Sequence, residues 1–200
     1  IAGECGDTVI LCEHPPTLSL GRRTREGDLG QRSAEEWARQ GVQIVHANRG
    51  GAVTYHGPGQ LIIYPVCLLR ARRAGVRRFV EVWLGAIANC LREIGINADA
   101  GLNPPGVWVA GGEAGNEERP RMRKIGACGL YIEHGVTDHG FSVNWNCELE
   151  VFSQFIPCAM PELKVTSAYA ELKRVGASCD SSCLEFGHRV VLSAARGLMS

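Results

Sequence analysis

The feature that most constrains the fold is one long amphipathic segment near the middle of the chain. Its apolar residues recur at three- and four-residue steps, which is the spacing of one side of an α-helix. They are Val76, Phe79, Val80, Trp83, Ile87, Cys90, Leu91 and Ile94, and Gly95 follows as a stop signal. The pattern predicts a helix over residues 76–94 with a single apolar side.

Segments with the pattern of short β-strands lie on both sides of this helix. We predict strands over residues 8–12, 42–47, 61–66 and 107–110, and a pair formed by residues 124–132 and 141–145. A capping box at Ser33 and Glu36 predicts a short helix ending near Gln40, and two more helices are predicted over residues 167–173 and 182–199. Residues 111–123 are polar and predict a loop. Strands and helices mix without a strict βαβ alternation, which favours an α+β domain over a doubly wound one.

Composition limits the classes of protein to which this chain can belong. Hydrophobic residues make up 45% of its 200 residues, enough for the core of one domain spanning residues 1–200. A formal net charge of zero argues against nucleic-acid binding, and the apolar runs are too short to cross a membrane. A secretory signal is not visible at the N-terminus, so we predict a cytoplasmic protein. The first strand pattern begins almost at residue 1, so we also expect an N-terminal element to be missing.

The nine cysteines are odd in number and irregularly spaced, which predicts free thiols in a reducing compartment. Cys158 stands out because Pro157 and Pro161 bracket it, and prolines discourage a helix or a central strand. A cysteine in such a loop is a candidate nucleophile, and a packed loop cysteine is the alternative. Cys179 and Cys183 lack a second ligand pair at a recognisable distance, so no metal site is predicted.

Two further segments are candidates for binding. Residues 49–60 contain four glycines, which let backbone approach a ligand closely, together with the polar side chains of Thr54 and His56. They do not form a phosphate-binding loop, because the Gly-Lys-Ser/Thr ending is absent. A plain glycine-rich hairpin is the alternative. Lys124 opens a run of small residues that leaves room for an apolar ligand, and a surface lysine is the alternative there.

Several motifs, taken in order along the chain, resemble those of the lipoyl(octanoyl) transferase family. They are Glu13-His14-Pro15-Pro16, Arg49-Gly50-Gly51 with Thr54-Tyr55-His56-Gly57-Pro58-Gly59-Gln60, Gly106-Val107-Trp108-Val109, Lys124-Ile125-Gly126-Ala127-Cys128-Gly129, His139-Gly140-Phe141 with Asn144, Ile156-Pro157-Cys158 and Thr166-Ser167. They extend over most of the chain, and their order makes them more specific than any single motif. The family usually has Pro-Cys-Gly, whereas Ala159 takes the place of that glycine here.

The resemblance implies a fold like that of the biotin and lipoate protein ligases, which is a mixed central β-sheet flanked by helices. It also implies transfer of an octanoyl group from octanoyl-acyl carrier protein, through a cysteine thioester, in the first step of endogenous lipoate biosynthesis. The implied acceptors are specific lysines in the lipoyl domains of 2-oxoacid dehydrogenases and in the glycine cleavage H protein. Thioester exchange is nearly isoenergetic, so neither a nucleotide nor another cofactor is expected.

The resemblance assigns roles to residues by position. The nucleophile falls on Cys158, and Lys124 would stabilise its thiolate as an ammonium or, as a neutral amine, accept a proton from the incoming lysine. The acyl-binding segments fall on Arg49, Gly50, Gly51, Ala52, Val53, Thr54, Tyr55 and His56, on Ala127, Cys128 and Gly129, and on Gly140, Phe141 and Ser142.

Alternatives remain at the level of the sequence. An ATP-dependent lipoate or biotin ligase would share the fold, although the Pro157-Cys158 motif speaks against it. A non-catalytic carrier-binding homologue would explain Ala159. A basic cluster would suit an acidic carrier protein, and a solvated helix entrance is the other interpretation. The cluster consists of Arg70, Arg72, Arg73, Arg77 and Arg78.

Overall fold

The computed structural model describes residues 6–69, 75–111 and 122–199. The strands are β1 Thr8–Cys12, β2 Thr17–Leu20, β3 Gln43–His46, β4 Val53–His56, β5 Gln60–Val66, β6 Ala98–Leu102, β7 Pro105–Val109, β8 Arg123–Cys128, β9 Tyr131–Glu133, β10 Val136–Asp138, β11 Phe141–Asn144 and β12 Lys164–Val165. The helices are α1 Ala34–Arg39, α2 Val76–Glu93, α3 Ala168–Arg174 and α4 Cys183–Met199, and short 3-10 turns span Glu150–Ser153 and Pro157–Ala159.

The predicted long helix is confirmed as α2, and its apolar side is buried with Phe79, Ile87 and Leu91 almost fully enclosed. The capping boxes predicted from sequence form at α1, where Ser33 and Glu36 exchange hydrogen bonds. They also form at α4, where Ser182 and Glu185 do the same. Short polar residues at these positions satisfy backbone N–H groups that the first helical turn leaves unpaired.

One strand prediction is wrong in its length. Residues 124–132 form two strands, because β8 ends at Cys128 and β9 begins at Tyr131. The chain turns between them, where the Gly129 N–H donates to the Gly140 carbonyl at 2.8 Å. β9 then pairs with β10 as a hairpin, whereas β8 pairs with β11 as predicted. Of the predicted loop 111–123, residues 112–121 lie outside the described residues, and Arg123 belongs to β8.

The main sheet has seven strands in the order β1-β5-β11-β8-β7-β6, with β12 added beside β8. Its neighbours are antiparallel except for the parallel pair of β12 and β8. Helices α2 and α4 pack together on one face, and apolar side chains such as Leu61, Val107 and Val143 fill the space between sheet and helices. The α+β fold with a mixed sheet and flanking helices is thus the one predicted.

A second sheet has three strands in the order β3-β2-β4 and its own apolar core. Leu18, Trp37, Val53 and Tyr55 pack there against Phe152 and Phe155, which follow β11 in the chain. Neither β2 nor β4 is predicted from the sequence, because each has four residues and stands beside prolines or glycines that suggest loops. This small sheet lies over the main-sheet face opposite the helices, and a cavity separates the two sheets.

Candidate active site

Cys158 lies on a tight turn with an unusual backbone. It has φ +58° and the following Ala159 has φ +57°, so two consecutive non-glycine residues occupy the left-handed region. The Met160 N–H donates to the Pro157 carbonyl at 3.0 Å and closes the turn. A side chain in this region costs about 1–2 kcal/mol, and such strain is found at functional sites. A glycine at position 159, as in the Pro-Cys-Gly motif noted above, would remove the part of this strain that belongs to Ala159.

Lys124 contacts the Cys158 sulfur. Its Nζ lies 3.8 Å from the Sγ and 4.9 Å from the centroid of the Trp108 ring. The side chain is buried, with 6% of its surface exposed. Gly106 makes this possible, because a Cβ at that position would approach the lysine Cε to 2.6 Å. A cysteine reacts as its thiolate, and a neighbouring positive charge is one of the features that stabilise that form in proteins.

A cavity of about 340 Å³ lies between the two sheets and reaches Cys158. This volume is in the range of sites for small organic ligands. The main sheet contributes Ile62, Ala127 and Ser142, and the small sheet contributes Thr54 and Val45. Eleven of the predicted acyl-binding residues line it, and these are Arg49, Gly51, Ala52, Thr54, His56, Ala127, Cys128, Gly129, Gly140, Phe141 and Ser142.

Three of the predicted acyl-binding residues do not line the cavity. Val53 and Tyr55 alternate with Thr54 and His56 along β4, so their side chains enter the apolar core of the small sheet. Gly50 holds the chain in place through its N–H, which donates to the Leu130 carbonyl at 3.2 Å.

Arg49 is a buried cation that binds backbone. It donates to the Ser19 hydroxyl at 2.9 Å, to the Ala52 carbonyl at 2.8 Å and to the Gly50 carbonyl at 2.9 Å. Burial lowers the pKa of Arg49, while the charges of Cys158 and Tyr64 act in the opposite direction. The guanidinium therefore ties β2 to the glycine-rich turn and adds positive potential near the Cys158 sulfur.

Sequence reasoning assigned no binding role to three side chains of the cavity wall, although His14 and His139 lie in motifs that carry the family resemblance. His14, Tyr64 and His139 line the cavity together with the predicted His56. The His14 Nε2 lies 2.7 Å from the Tyr64 hydroxyl, and the ring centroids of His14 and His56 are 5.9 Å apart. The alternation of β5 places Tyr64 on the side opposite the core residue Ile63, which is a signal that could have identified it.

Burial shifts the pKa values of His56, Tyr64 and His139 toward their neutral forms. Burial lowers the pKa of His56 to about 4, with smaller contributions from Arg49, His14 and His139 acting in the same direction and Gln60 acting against them. Burial also lowers the pKa of His139 and raises that of Tyr64 to about 12. His56 and Tyr64 are therefore uncharged at neutral pH, whereas Arg49 contributes a positive charge to the cavity wall.

The described residues contain no group of three side chains that could hold a metal ion. Within the same residues, none of the helices has the length and apolar character needed to cross a membrane. The cysteines of the described ranges are free thiols.

The sequence is similar to a family model described as the lipoyl protein ligase A/B catalytic domain, which matches residues 1–183. Among curated proteins, it is 41% identical over 172 residues to an octanoyltransferase of Myxococcus xanthus, covering 86% of this chain and 46% of that protein. It is 37% identical to an octanoyltransferase of Desulfotalea psychrophila, covering 82% of this chain and 70% of that protein. The chain thus spans about half the length of the Myxococcus relative.

Solved structures with the same fold are more distant in sequence. A bipartite lipoate protein ligase of Thermoplasma acidophilum superposes with a TM-score of 0.69 at 15% identity, covering 98% of this chain and 72% of that one. A biotin protein ligase of Aquifex aeolicus superposes with a TM-score of 0.54 at 16% identity, covering 92% and 70%. These similarities concern the fold, and they confirm the predicted likeness to biotin and lipoate ligases.

Proposed function

Because this chain belongs to the octanoyltransferase family, within the lipoyl protein ligase A/B catalytic domains, we propose that it carries an octanoyl group on Cys158 and transfers it to a protein lysine. The observation that carries the proposal is the 3.8 Å separation of Lys124 Nζ and Cys158 Sγ beside a cavity of about 340 Å³. The acyltransferase class agrees with the names of the relatives. The cytoplasmic location stays a prediction.

In the first half-reaction, the Cys158 thiolate attacks the carbonyl carbon of the donor thioester. The new carbon–sulfur bond forms as the bond to the donor's sulfur breaks. The donor leaves as a thiolate that takes up the proton of the Lys124 ammonium, which leaves Lys124 as a neutral amine. The Lys124 ammonium stabilises the attacking sulfur, and main-chain N–H groups of the Cys158 turn are the donors we propose for the oxyanion. One thioester replaces another, so the step needs no nucleotide.

In the second half-reaction, a neutral lysine amine of the acceptor attacks the Cys158 thioester. An amide bond forms, the sulfur leaves, and Lys124 as a neutral amine is the group we propose to take the proton of the incoming nitrogen. An amide is more stable than a thioester, so this step is downhill. The octanoyl chain occupies the cavity between the two sheets throughout both steps.

The proposed partners are octanoyl-acyl carrier protein as donor and, as acceptors, the lipoyl domains of 2-oxoacid dehydrogenases and the glycine cleavage H protein. Carrier proteins are acidic, and the basic cluster predicted from sequence is the proposed docking element. Its members Arg77 and Arg78 lie in the first turn of α2, where Arg77 pairs with Glu81 at 3.0 Å. Arg70, Arg72 and Arg73 lie outside the described residues.

Charge reversal at Arg78 should raise the Michaelis constant for the carrier and reduce its salt dependence.

Intact-mass spectrometry after mixing with octanoyl-carrier, without ATP, tests the nucleophile. We expect an adduct of one octanoyl group on the wild-type protein, a stable ester or no adduct on Cys158→Ser, and an unchanged adduct on the control Cys179→Ser. Cys179 is a free thiol outside the cavity. An absent wild-type adduct, a requirement for ATP, or peptide mapping to another cysteine would overturn the proposal.

A further inference from the structure

A chain of buried amide groups runs behind the cavity wall. The Asn144 side-chain NH₂ donates to the Thr166 main-chain carbonyl at 3.0 Å, and its oxygen accepts from Gln60 Nε2 at 2.8 Å. The same Gln60 nitrogen donates to the Tyr55 carbonyl at 3.1 Å, and Gln60 Oε1 lies 2.6 Å from His56 Nδ1. Gln60 and Asn144 are 1% and 6% exposed, so water does not compete for these bonds.

The direction of every bond in this chain is determined by its two backbone ends. A carbonyl oxygen can only accept, so Thr166 requires the NH₂ of Asn144 and leaves the Asn144 oxygen toward Gln60. Tyr55 likewise requires the NH₂ of Gln60 and leaves the Gln60 oxygen toward the imidazole. An amide oxygen is an acceptor only, so His56 Nδ1 must carry the hydrogen. The orientation of two amides, normally ambiguous, follows here from the network.

The Thr166 end of the chain is itself anchored at the reactive lysine. The Thr166 N–H donates to the Lys124 carbonyl at 2.9 Å, and its hydroxyl donates to Glu171. Glu171 also forms a two-point ion pair with Arg123, whose Nε and NH₂ groups lie 2.9 and 2.8 Å from its oxygens. The carbonyl that orients Asn144 therefore belongs to the same rigid unit as the Lys124 backbone.

We propose that Gln60 and Asn144 are positioning residues that select the Nδ1–H tautomer of His56 and leave Nε2 as an acceptor, while burial keeps the ring neutral beside the acyl cavity. The part of this inference that concerns the acyl chain rests on the proposed function. The tautomer itself does not depend on the identity of the substrate.

Burial and the charges around His56 keep its ring neutral, although the hydrogen bond to Gln60 by itself raises the pKa of His56. The titratable and charged groups that share the cavity wall are His14, Arg49, Tyr64, Cys128, His139 and Cys158. Burial opposes protonation of His56 most strongly, the charge of Arg49 and the neighbouring imidazoles add to this effect, and the pKa of His56 is about 4. A second positive charge beside an apolar chain would cost binding free energy, because charged groups are poorly solvated there. Gln60 is a neutral amide, so the group beside His56 Nδ1 is not a carboxylate that would stabilise the protonated ring.

Isotope-edited NMR of the imidazole nitrogens tests the tautomer directly, with His56 assigned through the resonances lost in His56→Gln. At neutral pH we expect Nδ1 of the wild-type ring to be protonated and Nε2 to be bare. A wild-type ring that carries its hydrogen on Nε2, or that is an imidazolium, would overturn the inference. This measurement needs no variant at Gln60 and no turnover, so it remains decisive even if the proposed function fails.

The variant Gln60→Glu extends the test to the cavity. It keeps the size of the side chain and places a carboxylate at His56 Nδ1, so we expect a doubly protonated ring at neutral pH. The Michaelis constant for the octanoyl donor should rise about tenfold, with kcat less affected, because the charge opposes the apolar chain. The exposed Gln31→Glu is the matched control and should change neither quantity. A neutral His56 ring in Gln60→Glu, or an unchanged Michaelis constant with a charged ring, would contradict the assigned role.

Discussion

The two faces of the main sheet are built from the same strands, but one face packs against helices and the other borders the cavity. On the helix side, Leu61 and Ile63 of β5 and Val143 of β11 are fully buried against α2 and α4. On the other side, Ile62 and Tyr64 of β5 and the small Ser142 of β11 line an open cavity. Successive residues of a strand point to opposite faces, so one stretch of sequence supplies both surfaces.

This difference between the two faces separates the residues that stabilise the fold from the residues that surround the candidate active site. Side chains on the helix side fill space at the density of a protein interior and leave no room for a ligand. On the cavity side, Ala127 and Gly129 leave space, and Arg49 donates to the main-chain carbonyls of Gly50 and Ala52. We therefore expect changes on the helix side to alter the free energy of unfolding, and changes on the cavity side to alter reactivity.

The largest expected effect belongs to the helix side. Leu91 of α2 is fully buried in the core, so Leu91→Ala should lower the free energy of unfolding by about 2–5 kcal/mol through lost burial and a residual cavity. Urea denaturation measures the change, and the alkylation rate of Cys158 in the folded protein should stay the same. The exposed Leu192→Ala on α4 is the control, with an expected change within about 0.5 kcal/mol. A large loss of Cys158 reactivity in Leu91→Ala would show that the two faces do not have separate roles in stability and reactivity.

The next effect belongs to the cavity side. Lys124→Met keeps a long side chain over Trp108 but removes the ammonium 3.8 Å from the Cys158 sulfur. We expect acylation of Cys158 to slow about 10²-fold, since charge stabilisation of this kind contributes that order of magnitude. Stopped-flow acylation and the pH profile of iodoacetamide alkylation measure it. If the rate and the profile match those of the wild type, Lys124 does not act on the sulfur.

The imidazoles of the cavity wall make stability depend on pH. The pKa of His56 falls from 6.5 to about 4 on folding, so the unfolded chain binds more protons between those values. The free energy of unfolding should therefore decrease as pH falls through this window, by at most about 1.4 kcal/mol per pH unit for this group. The lowered pKa of His139 adds in the same direction. The lowered pKa of Glu171 adds too, since its stabilisation is lost at acid pH.

The variant His56→Gln separates the contribution of His56 from the others. Urea denaturation at a series of pH values should show a shallower loss of stability between pH 6.5 and about 4 than in the wild type. Parallel curves for the two proteins would show that the folded protein does not resist protonation of His56, and His56 would then not be an uncharged part of the cavity wall at mildly acidic pH.

The smallest effect concerns the backbone of the reactive turn. Ala159 has φ +57°, so Ala159→Gly removes strain of about 1–2 kcal/mol, partly offset by the greater freedom of glycine in the unfolded chain. We expect a net stabilisation of about 0.5–1 kcal/mol, measured by urea denaturation. Ala177→Gly, outside regular structure near α3, is a control for the entropy of glycine and should be neutral or destabilising. A destabilised Ala159→Gly would show that the turn does not store strain at this residue.

Local patterns in the sequence predicted much of the fold. The three-and-four spacing of α2, the capping boxes of α1 and α4 and the β8–β11 pair all agree with the structure. The strands of the small sheet were missed, because the residues that pack against Val53 and Tyr55 include Phe152, nearly one hundred positions away. A four-residue strand has too little local signal to reveal such a partner.

The sequence by itself determined which residues are candidates for chemistry, since Cys158, Lys124 and the glycine-rich segment are recognisable in their order along the chain. Only the tertiary structure decided how they meet. It brought Lys124 to Cys158 across 34 residues and joined Gln60 to Asn144 across 84. It also turned Arg49 toward backbone carbonyls and gathered His14, Tyr64 and His139 around the cavity. The physical reason is that distances between side chains depend on strand order and register, which long-range packing sets and no short segment encodes.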